Sequence, residues 1–277
     1  MKVTDLFIYP IKSCRGIEVE EAEVTPKGFK SDRQFMLTDN QGKFLTQRKH
    51  PNLAKIQVKI SDEMISLTTD NRETFSFKPL LTGREIEVEI WRDHTRGIDQ
   101  GEEVAEWFKA ALELKPEEKC HLVKQSPKYI RPIDPKYAET ENQPVSFADG
   151  YPFLLTTEAS LQELNRRLSE NYPEQNQTVP MNRFRPNIVI NTKEPFIEGE
   201  WKLIQIGEVK FTLVKPCSRC IVTTTNQLTG ARNEQGEPLK TLSKFRQIGN
   251  QGIMFGENMI PQNTGIVRIG DQIKILK

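Results

Sequence analysis

Short apolar runs at two-residue spacing, each stopped soon by a turn signal, recur along most of this chain. Alternation of that kind turns successive side chains to opposite faces, which a strand can use and a helix cannot. Val3 to Tyr9 is one such run and stops at Pro10. Ile17, Val19 and Ala22 to Val24 suggest a second strand, and Arg33 to Leu37 is expected to pair with Phe44-Leu45 across Asp39-Asn40-Gln41-Gly42. Lys55 to Ile60, Met64 to Thr68 and Glu85 to Ile90 alternate as well, with Ile86, Val88 and Ile90 on one face.

Helical spacing interrupts this pattern in three places. Glu102 to Leu114 sets Val104, Trp107, Phe108, Ala111 and Leu112 at the 3.6-residue repeat, and closes the N-terminal part. Phe153 to Leu155 reads as a buried strand feeding a helix from Thr156-Thr157, with Leu161, Leu164 and Leu168 on one face and an end before Pro173. Leu239, Leu242 and Phe245 suggest the third helix. Ile188 to Ile190, Leu203 to Ile206, Val209 to Val214, Ile221 to Thr225, Gly265 to Ile269 and Gln272 to Leu276 supply further short strands. Ser126 to Pro144, with Pro127, Pro132, Pro135 and Pro144, reads as a long irregular connection. The expected class is α+β and β-rich: a β-barrel-like domain over 1–120, then a barrel with a few helices over 121–277, not a doubly wound sheet.

Lys and Arg total 39 against 38 Asp and Glu, so the net charge of +1 offers no broad basic field for nucleic acid, and any anion site must be local. No apolar stretch approaches the roughly 20 residues of a membrane span. Met1 to Leu6 leads into a short apolar run without the regions of a signal peptide, so a cytoplasmic protein is expected. Gly-x-Gly-x-x-Gly and P-loop patterns do not occur.

Four cysteines are too few for a disulfide scaffold in 277 residues, and only Cys217 and Cys220 are close in sequence. Cys217-Ser218-Arg219-Cys220 follows an expected strand and precedes a Thr-rich run, which places the thiols in a bend between strands. A thioredoxin-type pair would instead open a helix. A zinc site needs a second ligand pair, for which only Cys14, Cys120, His50, His94 and His121 remain. Two ordinary buried cysteines are a further reading. A single thiolate on a soft, high-valent metal needs no second pair if a cofactor supplies the other ligands, and Arg219 beside the thiol would favour its anionic form.

Tyr9-Pro10-Ile11-Lys12-Ser13-Cys14-Arg15-Gly16, Asp32-Arg33, Phe184-Arg185-Pro186-Asn187 and Pro216-Cys217-Ser218-Arg219-Cys220-Ile221-Val222-Thr223-Thr224 occur in that order along the chain. Together they resemble the MOSC proteins with an N-terminal β-barrel domain, and within them the mitochondrial amidoxime reducing component and its bacterial counterparts. The resemblance implies a molybdenum pyranopterin cofactor with Cys220 as the metal ligand. It implies that Lys12, Ser13, Arg33, Arg185 and Asn187 hold the pterin and its phosphate, with Asp149, Gly150 and Ser218 near the cofactor and Cys217 beside it.

The activity so implied is reduction of small N-hydroxylated substrates. Electrons would come from a separate ferredoxin-, flavodoxin- or cytochrome-like protein, because no ferredoxin-type cysteine cluster is present. The alternative within the same resemblance is a non-catalytic or sulfur-carrier module that only holds the cofactor.

Overall fold

Strand Val209–Arg219 pairs over most of its length with Gly252–Pro261, and these two form the centre of a nine-stranded sheet. The computed structural model describes residues 1–70, 72–175 and 177–277. Across the large sheet the order is Ile273–Ile275, Leu203–Ile206, Val209–Arg219, Gly252–Pro261, Phe153–Thr157, Ile188–Ile190, Val3–Ile8 and Ile17–Val19, with Gln247–Ile248 added on Gly252–Pro261. The first strands of the chain therefore lie in a sheet otherwise built from the C-terminal half. Val3 and Leu6 show why: both are fully buried, in the same core as Leu155, Ile188, Ile204 and Phe211.

Among the described strand pairs, Phe153–Thr157 and Ile188–Ile190 run parallel, and the connection between them carries helix α2, Glu158–Asn171. A parallel pair needs such a crossover. The Thr157 hydroxyl caps α2 by accepting the Ser160 amide at 3.1 Å, which satisfies one of the free N–H groups of the first turn. Leu164 and Leu168 are fully buried beneath it, against Phe184, Leu242 and Phe255.

The N-terminal half builds two antiparallel sheets. One orders Phe35–Asp39, Cys120–Gln125, Asp93–Asp99 and Glu85–Ile90; the other orders Gln57–Ser61, Met64–Thr69 and Arg72–Phe77. Helix α1, Glu102–Ala111, packs Val104 and Phe108 onto a core with Leu37, Leu67 and Leu122. Full burial of one such side chain stabilises by about 1.5–3 kcal/mol. A small third sheet joins Gly265–Arg268 to Glu21–Thr25 and Gly28–Phe29, which ties the start of the chain to its end. The molecule is thus β-rich, an N-terminal β-barrel-like domain followed by a second β domain with few helices.

Several local expectations change. Ile221–Thr224 is a 3-10 turn rather than a strand, because the Thr223 and Thr224 hydroxyls donate to the carbonyls of Cys220 and Ile221 at 3.0 and 2.7 Å. Threonine favours strands only when its hydroxyl does not find a local carbonyl. The Cys-Ser-Arg-Cys block is not wholly in a bend, since the long strand continues through Arg219. The strand expected from Arg33 begins at Phe35, because Arg33 holds a left-handed φ of 47°, and its Phe44 partner contributes a single bridge to Thr38. Helix α1 stops at Ala111, and Glu113 is left-handed at φ 54°.

Candidate functional site

Lys12, Ser13, Arg33, Asp149, Gly150, Arg185, Asn187, Ser218 and Cys220 all line one cleft of about 400 Å³ between the two halves. The turn after strand Val3–Ile8 delivers the first of them. Pro10 ends the strand, Ser13 takes a left-handed φ of 70°, and the Lys12 amide donates to the Phe35 carbonyl at 2.8 Å. Lys12 is thereby turned inward, where its Nζ donates to Asp149 Oδ1 at 2.6 Å and to the Phe147 carbonyl at 2.8 Å. Burial lowers its pKa from the usual lysine range to about 8, with Asp149 acting in the opposite sense.

Arg33 is held from three sides. Its Nη1 donates to Asp32 Oδ2 at 2.7 Å and to Asn187 Oδ1 at 3.1 Å, and its Nη2 donates to the Arg185 carbonyl at 3.2 Å. Asp32 is 1% exposed and also accepts the Tyr9 amide at 2.8 Å, so the pair is a buried ion pair with its lone pairs engaged. Asn187, also buried, donates from Nδ2 to the Phe7 carbonyl and accepts the Leu154 amide. Its oxygen is used within the protein, and what it does is fix Arg33.

Arg185, with a left-handed φ of 55°, reaches the same place from the loop before strand Ile188–Ile190. The guanidinium carbons of Arg33 and Arg185 lie 4.2 and 4.3 Å from the centroid of the Tyr9 ring, whose hydroxyl donates to the Pro186 carbonyl at 3.0 Å. Arg185 Nη1 donates to Gln227 Oε1 at 3.2 Å. Its Nη2 is buried with no hydrogen-bond partner among the described residues. Burial lowers the Arg185 pKa to about 10, so it is still cationic at neutral pH, and a desolvated cation with a free donor suits an incoming anion.

The two cleft thiols have different cations. Arg219 reaches back to Cys217, which sits where the strand register shifts between Pro216 and Ser218, with Nη1 donating to Sγ at 2.9 Å and Nη2 to the Phe184 carbonyl. The thiol beside Arg219 is therefore Cys217, and Arg219 is not the cation at Cys220. That position belongs to Arg48, whose Nη2 donates to Cys220 Sγ at 3.3 Å. Arg48 stacks on Trp91 at 4.3 Å, the Trp91 indole N–H donates to Asp149 Oδ1 at 3.2 Å, and Asp149 meets Lys12. A continuous polar chain thus crosses the cleft from Cys220 to Lys12.

Arg48 was not singled out in the sequence, where it sits in a Gln-Arg-Lys-His run without periodicity. Trp91 left a trace: it is a large aromatic in the tight turn joining Glu85–Ile90 to Asp93–Asp99, with a left-handed φ of 59°. Such turns favour glycine, asparagine or aspartate.

Cys14 and Cys120 lie in the N-terminal apolar core, where burial pushes both thiols up to about 12. Among the described residues no group of three or more His, Cys, Asp and Glu side chains is placed to hold a metal ion. The zinc arrangement considered from the sequence is not assembled. The cleft instead brings Lys12, Arg33, Arg48, Arg185 and Arg219 together, with Asp149 as the carboxylate on its lining and Asp32 buried behind it in its pair with Arg33. A phosphate-bearing anion that carries most of its own metal ligands and takes one thiolate from the protein fits this donor set.

Residues 1–115 match the family model described as the MOSC N-terminal beta barrel domain, and residues 142–274 match the MOSC domain. The chain is 32% identical to mitochondrial amidoxime-reducing component 1 of Homo sapiens, over 99% of its own length and 82% of that protein's. The corresponding protein of Mus musculus is also 32% identical over the same shares. The molybdenum cofactor sulfurase of Danio rerio is 31% identical over 88% of this chain, which spans 30% of that larger protein. The chain belongs to the MOSC family, in its form with an N-terminal MOSC β-barrel domain, and is similar along nearly its whole length to the mitochondrial amidoxime-reducing components.

Proposed function

We propose that the cleft binds a molybdenum pyranopterin cofactor with Cys220 as the protein thiolate, and that the chain reduces small N-hydroxylated substrates. The observation that carries this reading is the meeting of the Cys220 thiol with five cationic side chains and one carboxylate in a single cleft. Of the relatives, one is named for amidoxime reduction and another as a molybdenum cofactor sulfurase, which supports the reaction and the cofactor in turn.

Lys12, Arg33 and Arg185 would hold the anionic groups of the cofactor, Arg185 through its unpaired Nη2. Ser13, Gly150 and Ser218 would border it, with Asn187 keeping Arg33 in place. When bound, the cofactor supplies two-electron oxygen-removal chemistry. An amidoxime, R–C(NH2)=N–OH, takes up two electrons and two protons and leaves as the amidine and water. Lys12 holds a proton at Nζ with its pKa brought to about 8, and Asp149 links that ammonium to the cleft mouth. The two electrons come from a separate ferredoxin-, flavodoxin- or cytochrome-like protein.

A second reading, a sulfur-handling or non-catalytic module, is favoured by one observation: Cys217 is another cleft thiol with its own cation, Arg219. The separating experiment uses protein from a host that makes the cofactor. Molybdenum and pterin are quantified, and benzamidoxime is offered with reduced methyl viologen, or with NADH or NADPH alone. The reductase reading expects benzamidine with the viologen and none with the nicotinamides. Molybdenum with no reduction favours the second reading; a chain free of molybdenum and pterin overturns both.

A further inference from the structure

A second, more open groove of about 670 Å³ adjoins the cleft, and Trp91, Asp149, Gly150 and Tyr151 line both. Its shared wall is rigid for reasons visible in the contacts. Trp91 is 44% exposed, yet it is fixed by the Arg48 guanidinium on its ring, by the edge of Phe44 at 5.1 Å and by its hydrogen bond to Asp149. An exposed tryptophan held in a left-handed turn is strained, and such strain collects at functional sites. Beneath the groove Arg131 is 2% exposed and fully engaged: Nε donates to Asp93, Nη1 to the Ser146 and Ala148 carbonyls and Nη2 to the Asp149 carbonyl. Arg131 therefore fixes the backbone that carries Asp149 and is not available to a ligand.

Two other cations on the groove are available. Arg92 is exposed and Lys215 half-buried, and neither has a carboxylate partner among the described residues; Lys215 lies 5.6 Å from the Tyr151 ring. Asp134 also lines the groove without a cation partner among the described residues, so the unpaired charges beside the aromatic faces are two positive and one negative, a net positive charge. A flat ring reaches such faces with little loss of freedom, and an unpaired cation selects an anionic substituent.

We propose that this groove binds the organic body of the substrate and selects N-hydroxylated compounds whose planar ring carries an anionic substituent. The ring packs on Trp91 and Tyr151, the anionic group meets Lys215 and Arg92, and the N–OH end enters the cleft past Asp149. This rests on the reductase reading above, but it is testable apart from it.

The test compares 4-carboxybenzamidoxime with its methyl ester on the cofactor-loaded protein, for the natural chain and for the double variant Arg92→Glu, Lys215→Glu. The expected kcat/KM preference for the free carboxylate is about tenfold, carried by KM, and reversal of both charges abolishes it. Calorimetric titration with the product 4-carboxybenzamidine against its methyl ester reads the same preference without turnover. If benzamidoxime is not reduced but the carboxylate preference in binding is present and lost in the variant, the reductase reading fails and the groove stands. Equal binding of acid and ester, or a preference unchanged in a double variant that retains its thermal midpoint, overturns the groove.

Discussion

The Arg48 guanidinium lies 3.3 Å from the Cys220 sulfur although 172 residues separate them in the chain. Arg48 comes from the turn after Phe44-Leu45, and Cys220 from the end of the longest strand. The contact sets a cation against the thiol proposed as the metal ligand, and the Trp91 ring keeps that cation in place. Arg48→Ala is expected to weaken cofactor retention about tenfold, the scale of one charge-assisted hydrogen bond, while the thermal midpoint moves by only a few degrees. Dialysis followed by metal analysis, alongside calorimetric unfolding, checks this; Arg48→Ala protein with full molybdenum content contradicts it.

Arg33 and Arg185 both touch Tyr9, but their removal is expected to have different consequences. Arg33→Met leaves Asp32 buried without its counter-charge, at a cost of about 3–5 kcal/mol in stability. Arg185→Met removes a cation that is already desolvated and has one donor free, so folding changes little and anion affinity falls roughly tenfold to a hundredfold. Urea unfolding and cofactor retention separate the two: equal loss of stability in both variants contradicts the assignment.

Lys12 gives the cleft a pH dependence. Burial lowers its pKa in the free protein to about 8, with the Asp149 interaction opposing. A bound anion raises it again. Below pH 8 the ammonium is present with or without the anion, so affinity is flat. Above pH 8 binding must take up a proton, and affinity falls by up to about tenfold per pH unit until the pKa of the bound form is reached. Retention of the cofactor across pH 6 to 10 is the readout, and Lys12→Gln is expected to bind more weakly at pH 7 with the slope removed. A slope that persists in Lys12→Gln assigns the titration elsewhere.

Much of this architecture was legible because its signals are local. Ile86, Val88 and Ile90 on one strand face, and Thr157 before the Leu161, Leu164 and Leu168 repeat, were readable from spacing and capping alone. Spacing singled out the Cys217–Cys220 block, but the other cleft residues were legible only through the resemblance carried by separated motifs, which the fold brings together. Pairing of Val3–Ile8 with Ile188–Ile190 left no local trace, since long-range register depends on which faces meet in the core. Arg48 was invisible because one arginine in a charged loop looks like any solvated cation. Adjacency in sequence put Arg219 beside a thiol but did not say which one, and the fold turns it to Cys217.

Molybdenum per chain in the natural protein, Cys220→Ala and Cys217→Ala, all made in a host that synthesises the cofactor, tests the metal assignment most directly. One thiolate is enough when the cofactor fills the other sulfur positions. The expected result is roughly one molybdenum per natural chain, near-complete loss with Cys220→Ala and substantial retention with Cys217→Ala. Equal loss from both variants, or full metal content in Cys220→Ala, would contradict Cys220 as the metal ligand.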